Sequence, residues 1–172
     1  MFQAARQRSA SRRPDRPLSP RVLIVSGSVG AGHDGAAAAL AERLQALGVQ
    51  VDQRDFLAAL PGLVRAVLRG CYAASVTYAP WAFGWAFASV ERRGVMYRLS
   101  LALCAVAERR VAQWLRTGYQ VVVSTYPLAG QTLGQLRARG RMQCPSVTFL
   151  TDPAVHLECS RFLGQAIRLL VD

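Results

Sequence analysis

Apolar residues along this chain fall into two kinds of run, short unbroken ones and longer periodic ones, and the two alternate. RVLIVS (21–26) is a continuous β-branched run, which predicts a strand covered on both faces. The alanine-rich segment from His33 to Leu47 predicts a helix, with Leu40, Leu44 and Leu47 on one stripe and Gly48 as its stop. VQVDQRDF (49–56) alternates and predicts a second strand. Strand, helix and strand at this spacing form a βαβ unit, so the sheet is expected to be parallel. A long helical stretch follows, interrupted near Pro61 and Pro80. From Gly94 to Arg116, the residues Met96, Leu99, Leu103, Val106, Val111 and Trp114 recur at helical spacing, and RTG closes that helix. YQVVVST (119–125) predicts a third strand, LAGQTLGQLRARG (128–140) a helix, PSVTFLT (145–151) a fourth strand and AIRLLVD (166–172) a fifth. The alternation predicts an α/β fold, a Rossmann-like doubly wound parallel sheet. Asp172 follows an apolar strand with no terminal helix to cover it, so the expectation is the front half of a longer arrangement.

Composition narrows the class. A chain of 172 residues with an apolar fraction of 52% fits one well-buried domain and excludes a disordered polypeptide. The net charge of +11 is compatible with nucleic acid, an anionic membrane surface or a phosphorylated substrate as partner. Its location helps to choose. Residues 1–20 hold five arginines against one aspartate, so about a third of the excess belongs to an expected disordered basic tail ahead of a domain over 21–172. That tail resembles an organellar transit peptide in composition, lacks the apolar core of a secretory signal, and equally suits a weak tether to anionic lipid. The remainder contains no recognisable nucleic-acid-reading motif, so no nucleic-acid partner is expected. Cys71, Cys104, Cys144 and Cys159 include no CxxC pair, which predicts buried, reduced thiols and no metal site.

Between the first strand and the first helix the chain places Gly27, Gly30, Gly32 and Gly35 within nine residues, with His33 among them. The G-x-x-G-x-G order is neither the dinucleotide fingerprint nor the phosphate loop, and no lysine exists to complete the latter. A loop without β-carbons still lets a ligand approach the backbone, and the helix N-terminus behind it offers unpaired N–H groups. Such loops lie at the carboxyl edge of the sheet, where α/β folds bind their ligands. A plain glycine-rich turn is the simpler alternative. His33 in this position is a candidate proton acceptor, although a lone histidine also suits a structural role.

Three segments carry a family resemblance: SGSVGAGHDGAAAAL (26–40), STYPLAGQTLG (124–134) and VTFLTDPAVH (147–156). Together they resemble the N-terminal domain of monogalactosyldiacylglycerol synthases and the related processive diacylglycerol glucosyltransferases. These are GT-B glycosyltransferases, with the lipid II N-acetylglucosaminyltransferase as a cell-wall relative. The resemblance implies an acceptor-side Rossmann-like domain facing a second, C-terminal domain that binds the nucleotide sugar. It implies His33 as general base in inverting transfer of a hexose from a UDP-sugar to diacylglycerol. Gly30, Gly32, Gln131, Asp152 and His156 are then expected around the acceptor cleft, with a capped turn as the simpler role for Asp152 and His156. The UDP-sugar is a co-substrate, and no further cofactor is implied. The C-terminal domain is expected to be missing from these 172 residues, and Leu157-Glu158-Cys159 stand where the family tends to carry an aromatic, so the chain alone is expected to be an inactive half. Two other readings stay open from the residues themselves. One is the dinucleotide-binding domain of an oxidoreductase, with Asp52 or Asp55 as the acid closing the second strand. The other is a non-enzymatic membrane-surface module.

The stretch CYAASVTYAPWAFGWAFASV (71–90) has no charge and is bracketed by Arg69 and by Glu91-Arg92-Arg93. Its length would span a bilayer, but Pro80 and Gly84 interrupt it and its apolarity falls below that of a leucine-rich span. The expectation is a helical excursion over about 62–93 lying on the cytoplasmic face of a membrane as a peripheral element, with a buried core helix as the simpler alternative. Tyr78, Trp81 and Trp85 would make the membrane contact, on an anionic surface.

Overall fold

The computed structural model describes residues 19–29, 31–79 and 81–149. The fifth strand expected at 166–172 and the basic tail expected over 1–20 therefore lie, wholly or nearly so, outside the described residues. Four strands, β1 (Arg21–Ser26), β2 (Gln50–Asp55), β3 (Val121–Ser124) and β4 (Ser146–Thr148), form one sheet in the order β2-β1-β3-β4. All the pairings are parallel. The helices are α1 (Ala31–Ala46), α2 (Gly62–Tyr78), α3 (Trp81–Glu91), α4 (Val95–Leu115) and α5 (Pro127–Ala138), with a short 3-10 turn at Phe56–Ala59. This is the Rossmann-like α/β fold that the alternation of runs predicts, and it is consistent with one half of a GT-B enzyme.

Both faces of the sheet are covered, which is why β1 reads as an unbroken apolar run. Val22 and Ile24 point to one side with Val123 and pack on Ala37 and Ala41 of α1. Leu23, Val25 and Val122 point to the other side, against Leu103, Ala107 and Val111 of α4, Leu133 and Leu136 of α5, and Phe56. Leu23, Ile24 and Val25 have no exposed surface, and burial of side chains this size stabilises by about 1.5–3 kcal/mol each. β2 lies at one edge of the sheet, and its alternation of polar residues reflects that exposure. Gly48 and Gly140 follow α1 and α5 with φ of +80° and +66°, the left-handed conformation that lets a glycine end a helix.

Several expectations need correction. Leu47 lies beyond the end of α1 and is 79% exposed, because small Ala37 and Ala41 bring that helix closest to the sheet. On α4 the buried stripe is Ser100, Leu103, Cys104, Ala107, Glu108 and Val111, which leaves Leu99 and Val106 exposed. Glu108 is buried because Arg139 and Arg141, just past α5, both bind its carboxylate and fasten α5 to α4. Of the cysteines expected to be buried, Cys104 is, Cys144 is half-buried and Cys71 is exposed, while Cys159 lies outside the described residues.

The opposite ends of the sheet differ in chemistry. At the amino end, the Tyr119 hydroxyl donates to Asp52 Oδ2 at 2.6 Å and Arg21 Nη2 donates to the same oxygen at 2.8 Å. The Tyr119 bond, outweighing partial burial and aided by Arg21, holds the Asp52 carboxyl below the usual carboxylate range. This clamp joins β1 to β2 and leaves the carboxyl end for other work.

Candidate functional site

Strand register sets Ser26 opposite Asp55 at the carboxyl edge of the sheet, with Ser124 and Thr148 opposite each other and beside Val25, one residue short of it. From this edge the chain turns at Gly27 and Ser28 and enters α1 at Ala31, with His33 in the first helical turn. Two polar anchors fix that loop. The first is Asp55, which accepts hydrogen bonds from the Ser28 hydroxyl at 2.7 Å, the Ser28 amide at 3.2 Å and the Leu57 amide at 3.0 Å. Arg69, reaching across from α2, donates to the same carboxylate at 3.1 Å and to Ser28 Oγ at 2.6 Å. Burial raises the Asp55 carboxyl, but the Ser28 and Leu57 donors and Arg69 outweigh it and leave it below the usual carboxylate range. The second anchor is Thr125, whose hydroxyl donates to the His33 carbonyl at 3.0 Å and ties the start of α1 to the end of β3.

Tyr126 is the aromatic centre of the site. It caps α5 just before Pro127, and its ring lies over Gly27 so closely that a β-carbon there would sit 2.5 Å from Tyr126 Cγ. The His33 ring meets it edge-on, with centroids 5.2 Å apart and planes at 73°, and Phe56 tilts against it at 5.7 Å. Burial, aided by the Cys104 thiol and the Asp55 charge, pushes the Tyr126 phenol up to about 12, so it stays neutral at working pH. Gly27 is therefore required by protein packing rather than by a ligand. Gly32 and Gly35 differ, since a β-carbon at either would meet nothing within 4 Å.

Beside this centre lies an apolar cavity of about 410 Å³ between the loop, α2 and α3. Val29, Leu68, Tyr72, Ala82, Trp85 and Tyr126 supply most of its wall. Outside it, α2 buries no residue at all, and Leu63, Val67 and Val76 of α2 with Tyr78, Trp81 and Trp85 are exposed. Tyr78 is 84% exposed, Trp81 75% and Trp85 60%. Among the described residues, no helix is long and apolar enough to cross a membrane.

The expected site residues separate into three groups. His33 and Gly32 stand together in the first turn of α1 at the carboxyl edge. Gln131 is instead buried between α5 and α4, where the Cys104 thiol donates to its Oε1 at 3.4 Å. Gly30, Asp152 and His156 lie outside the described residues. Sequence reasoning passed over Ser28, Arg69, Thr125 and Tyr126 and read Asp55 only as a possible dinucleotide ligand. Asp55 is already engaged by Ser28, Leu57 and Arg69, which gives it a structural task at that strand end. The available signal was positional, because an aspartate closing the strand next to β1 and an aromatic just before Pro127 both fall at the edge that holds the loop.

Comparison with protein-family models gives a match to the monogalactosyldiacylglycerol (MGDG) synthase family over residues 33–160. Neither curated proteins nor solved structures give a match.

Proposed function

The chain belongs to the monogalactosyldiacylglycerol synthase family, and from that membership we propose that it forms the acceptor side of an enzyme transferring a hexose from a UDP-sugar to diacylglycerol. The family is one of glycosyltransferases that make glycolipids, and its membrane-borne substrate is consistent with the apolar surface on α2 and α3. In this reading the diacylglycerol hydroxyl attacks the anomeric carbon of the sugar as the bond to UDP breaks. UDP leaves with the electron pair, the hydroxyl proton passes to His33, and the anomeric centre inverts. A single displacement needs a base within hydrogen-bond reach of the attacking oxygen.

The observation that carries this reading is the mounting of His33. Thr125 holds its backbone, Tyr126 packs on its ring, and Asp55 with Arg69 anchors the loop before it. Those contacts fix a side chain at the sheet edge where α/β folds bind ligands, which is what a positioned base needs. Gly32, open to solvent beside it, leaves room for the acceptor near the backbone. Asp152 and His156 are proposed to border the same cleft, and the donor site is proposed to lie on a second Rossmann-like domain. Attachment is peripheral, with Tyr78, Trp81 and Trp85 at the headgroup level of an anionic membrane. The test is transfer from UDP-galactose and UDP-glucose to diacylglycerol by the full-length protein and its His33→Ala variant. Transfer that depends on His33 supports the reading, and a complete enzyme that transfers neither sugar contradicts it.

A further inference from the structure

We propose that the cavity between the glycine loop, α2 and α3 is a chain-binding site that receives one fatty-acyl chain of the lipid acceptor; the inference rests on the acceptor reading above. The cavity of about 410 Å³ is walled by Leu68 of α2, Ala82 and Trp85 of α3, Val29 of the loop and the Tyr126 ring. One polar group of the wall is turned to a protein partner, and the nearest charge is held away from it. The Ser75 hydroxyl donates to the Tyr72 carbonyl at 2.8 Å, and Arg69, one turn before Tyr72 on α2, directs its charge to Ser28 and Asp55. A bound water needs two or more polar partners, and a charged ligand needs compensation, so this wall favours hydrocarbon.

Location selects the kind of hydrocarbon. Trp85 belongs both to the cavity wall and to the exposed aromatic surface with Tyr78 and Trp81, so a chain can pass from a membrane into the cavity without crossing open water. At the inner end Tyr126 is shared: it walls the cavity and carries the His33 ring 5.2 Å away. A chain seated against Tyr126 leaves its glycerol end beside His33. The cavity thus sets which acceptors are aligned for transfer, and methylenes beyond those it encloses extend back towards the membrane.

Fluorescence gives a test that needs no sugar donor. The chain has three tryptophans, Trp81, Trp85 and Trp114, so Trp81→Phe with Trp114→Phe leaves Trp85 as the single reporter. The probe is a monoacylglycerol dibrominated on its acyl chain, titrated below its micelle concentration. The expected result is saturable quenching of Trp85. Competition by plain octanoyl, decanoyl and dodecanoyl monoacylglycerols should strengthen about fourfold per added methylene until the cavity is full. Ser75→Phe and, independently, Ala82→Phe fill the cavity from opposite walls; either variant that keeps the parent melting temperature should abolish the quenching. Quenching that never saturates, or that survives in both filled variants, overturns the proposal. His33-dependent transfer by the full-length protein without saturable quenching overturns the cavity site and leaves the acceptor reading standing. Saturable binding without transfer overturns the acceptor reading and leaves a chain-binding site.

Discussion

One ring, that of Tyr126, sets the shape of the site, since Gly27, His33 and Phe56 all pack against it. Gly27→Ala should force ring or loop to move and cost about 1–3 kcal/mol, read as a lower melting temperature and a loss of transfer. Gly35→Ala, with open space around its β-carbon in α1, should instead stabilise by about 0.5–1 kcal/mol. Equal effects of the two substitutions would contradict this division of the glycines. Asp55 makes a pH prediction. Its folded-state carboxyl titrates below the unfolded one, so its stabilisation is complete above the unfolded value of about 3.9 and is lost as pH falls through the folded value. Urea unfolding across that acid window should show a shallower loss of stability in Asp55→Asn, and an unchanged slope would contradict the assignment. The glycine cluster and His33 were legible in the sequence as the turn from β1 into α1 at the carboxyl edge of the sheet. Their individual tasks were not, because Tyr126 and Arg69 reach the loop from elements far along the chain and only the folded sheet brings them together.

Among the elements, α2 and α3 are the outliers. The other helices each bury a stripe against the sheet, whereas α2 has no buried residue and touches the core only through half-buried Val64 and Leu68. Exposed large apolar side chains gathered on two neighbouring helices suit an interaction site, and aromatic residues flanked by arginine suit a lipid headgroup layer. Flotation with anionic vesicles should carry the protein upward. Trp81→Ala with Trp85→Ala should weaken partitioning by at least about tenfold, from the apolar burial lost. Flotation unaffected by both substitutions would contradict a membrane role for this surface. The four strands and the helix stops were readable because β-branched runs, the alternation of β2 and glycines at positive φ leave local signatures. The inner face of α4 was less so. Glu108 belongs to its buried stripe, and that burial depends on Arg139 and Arg141 beyond α5, partners that the periodicity of α4 alone does not reveal.

At the scale of the whole molecule, a parallel sheet clamped at its amino end by Asp52, Tyr119 and Arg21 presents its loops and His33 at the other end, beside an apolar surface. Family membership then supplies the chemistry that a Rossmann-like sheet alone does not specify, since many functions share that fold. The basic charge fits the same arrangement, because an anionic membrane attracts a chain carrying +11 and concentrates it near its lipid substrate. Fold class and the helical, apolar-rich stretch of α2 and α3 were thus accessible from patterning. The roles expected of Gly30, Asp152 and His156 are carried by the resemblance, as these residues lie outside those described. The measurement that reaches the central claim most directly is the rate of hexose transfer to diacylglycerol by the full-length protein and by His33→Ala, at matched folding and matched vesicle binding. A positioned general base contributes about 10²–10⁴-fold, so kcat should fall by that factor while vesicle affinity stays unchanged. A variant that folds, binds vesicles and transfers within a few-fold of the parent rate would contradict the assignment of His33 as the base.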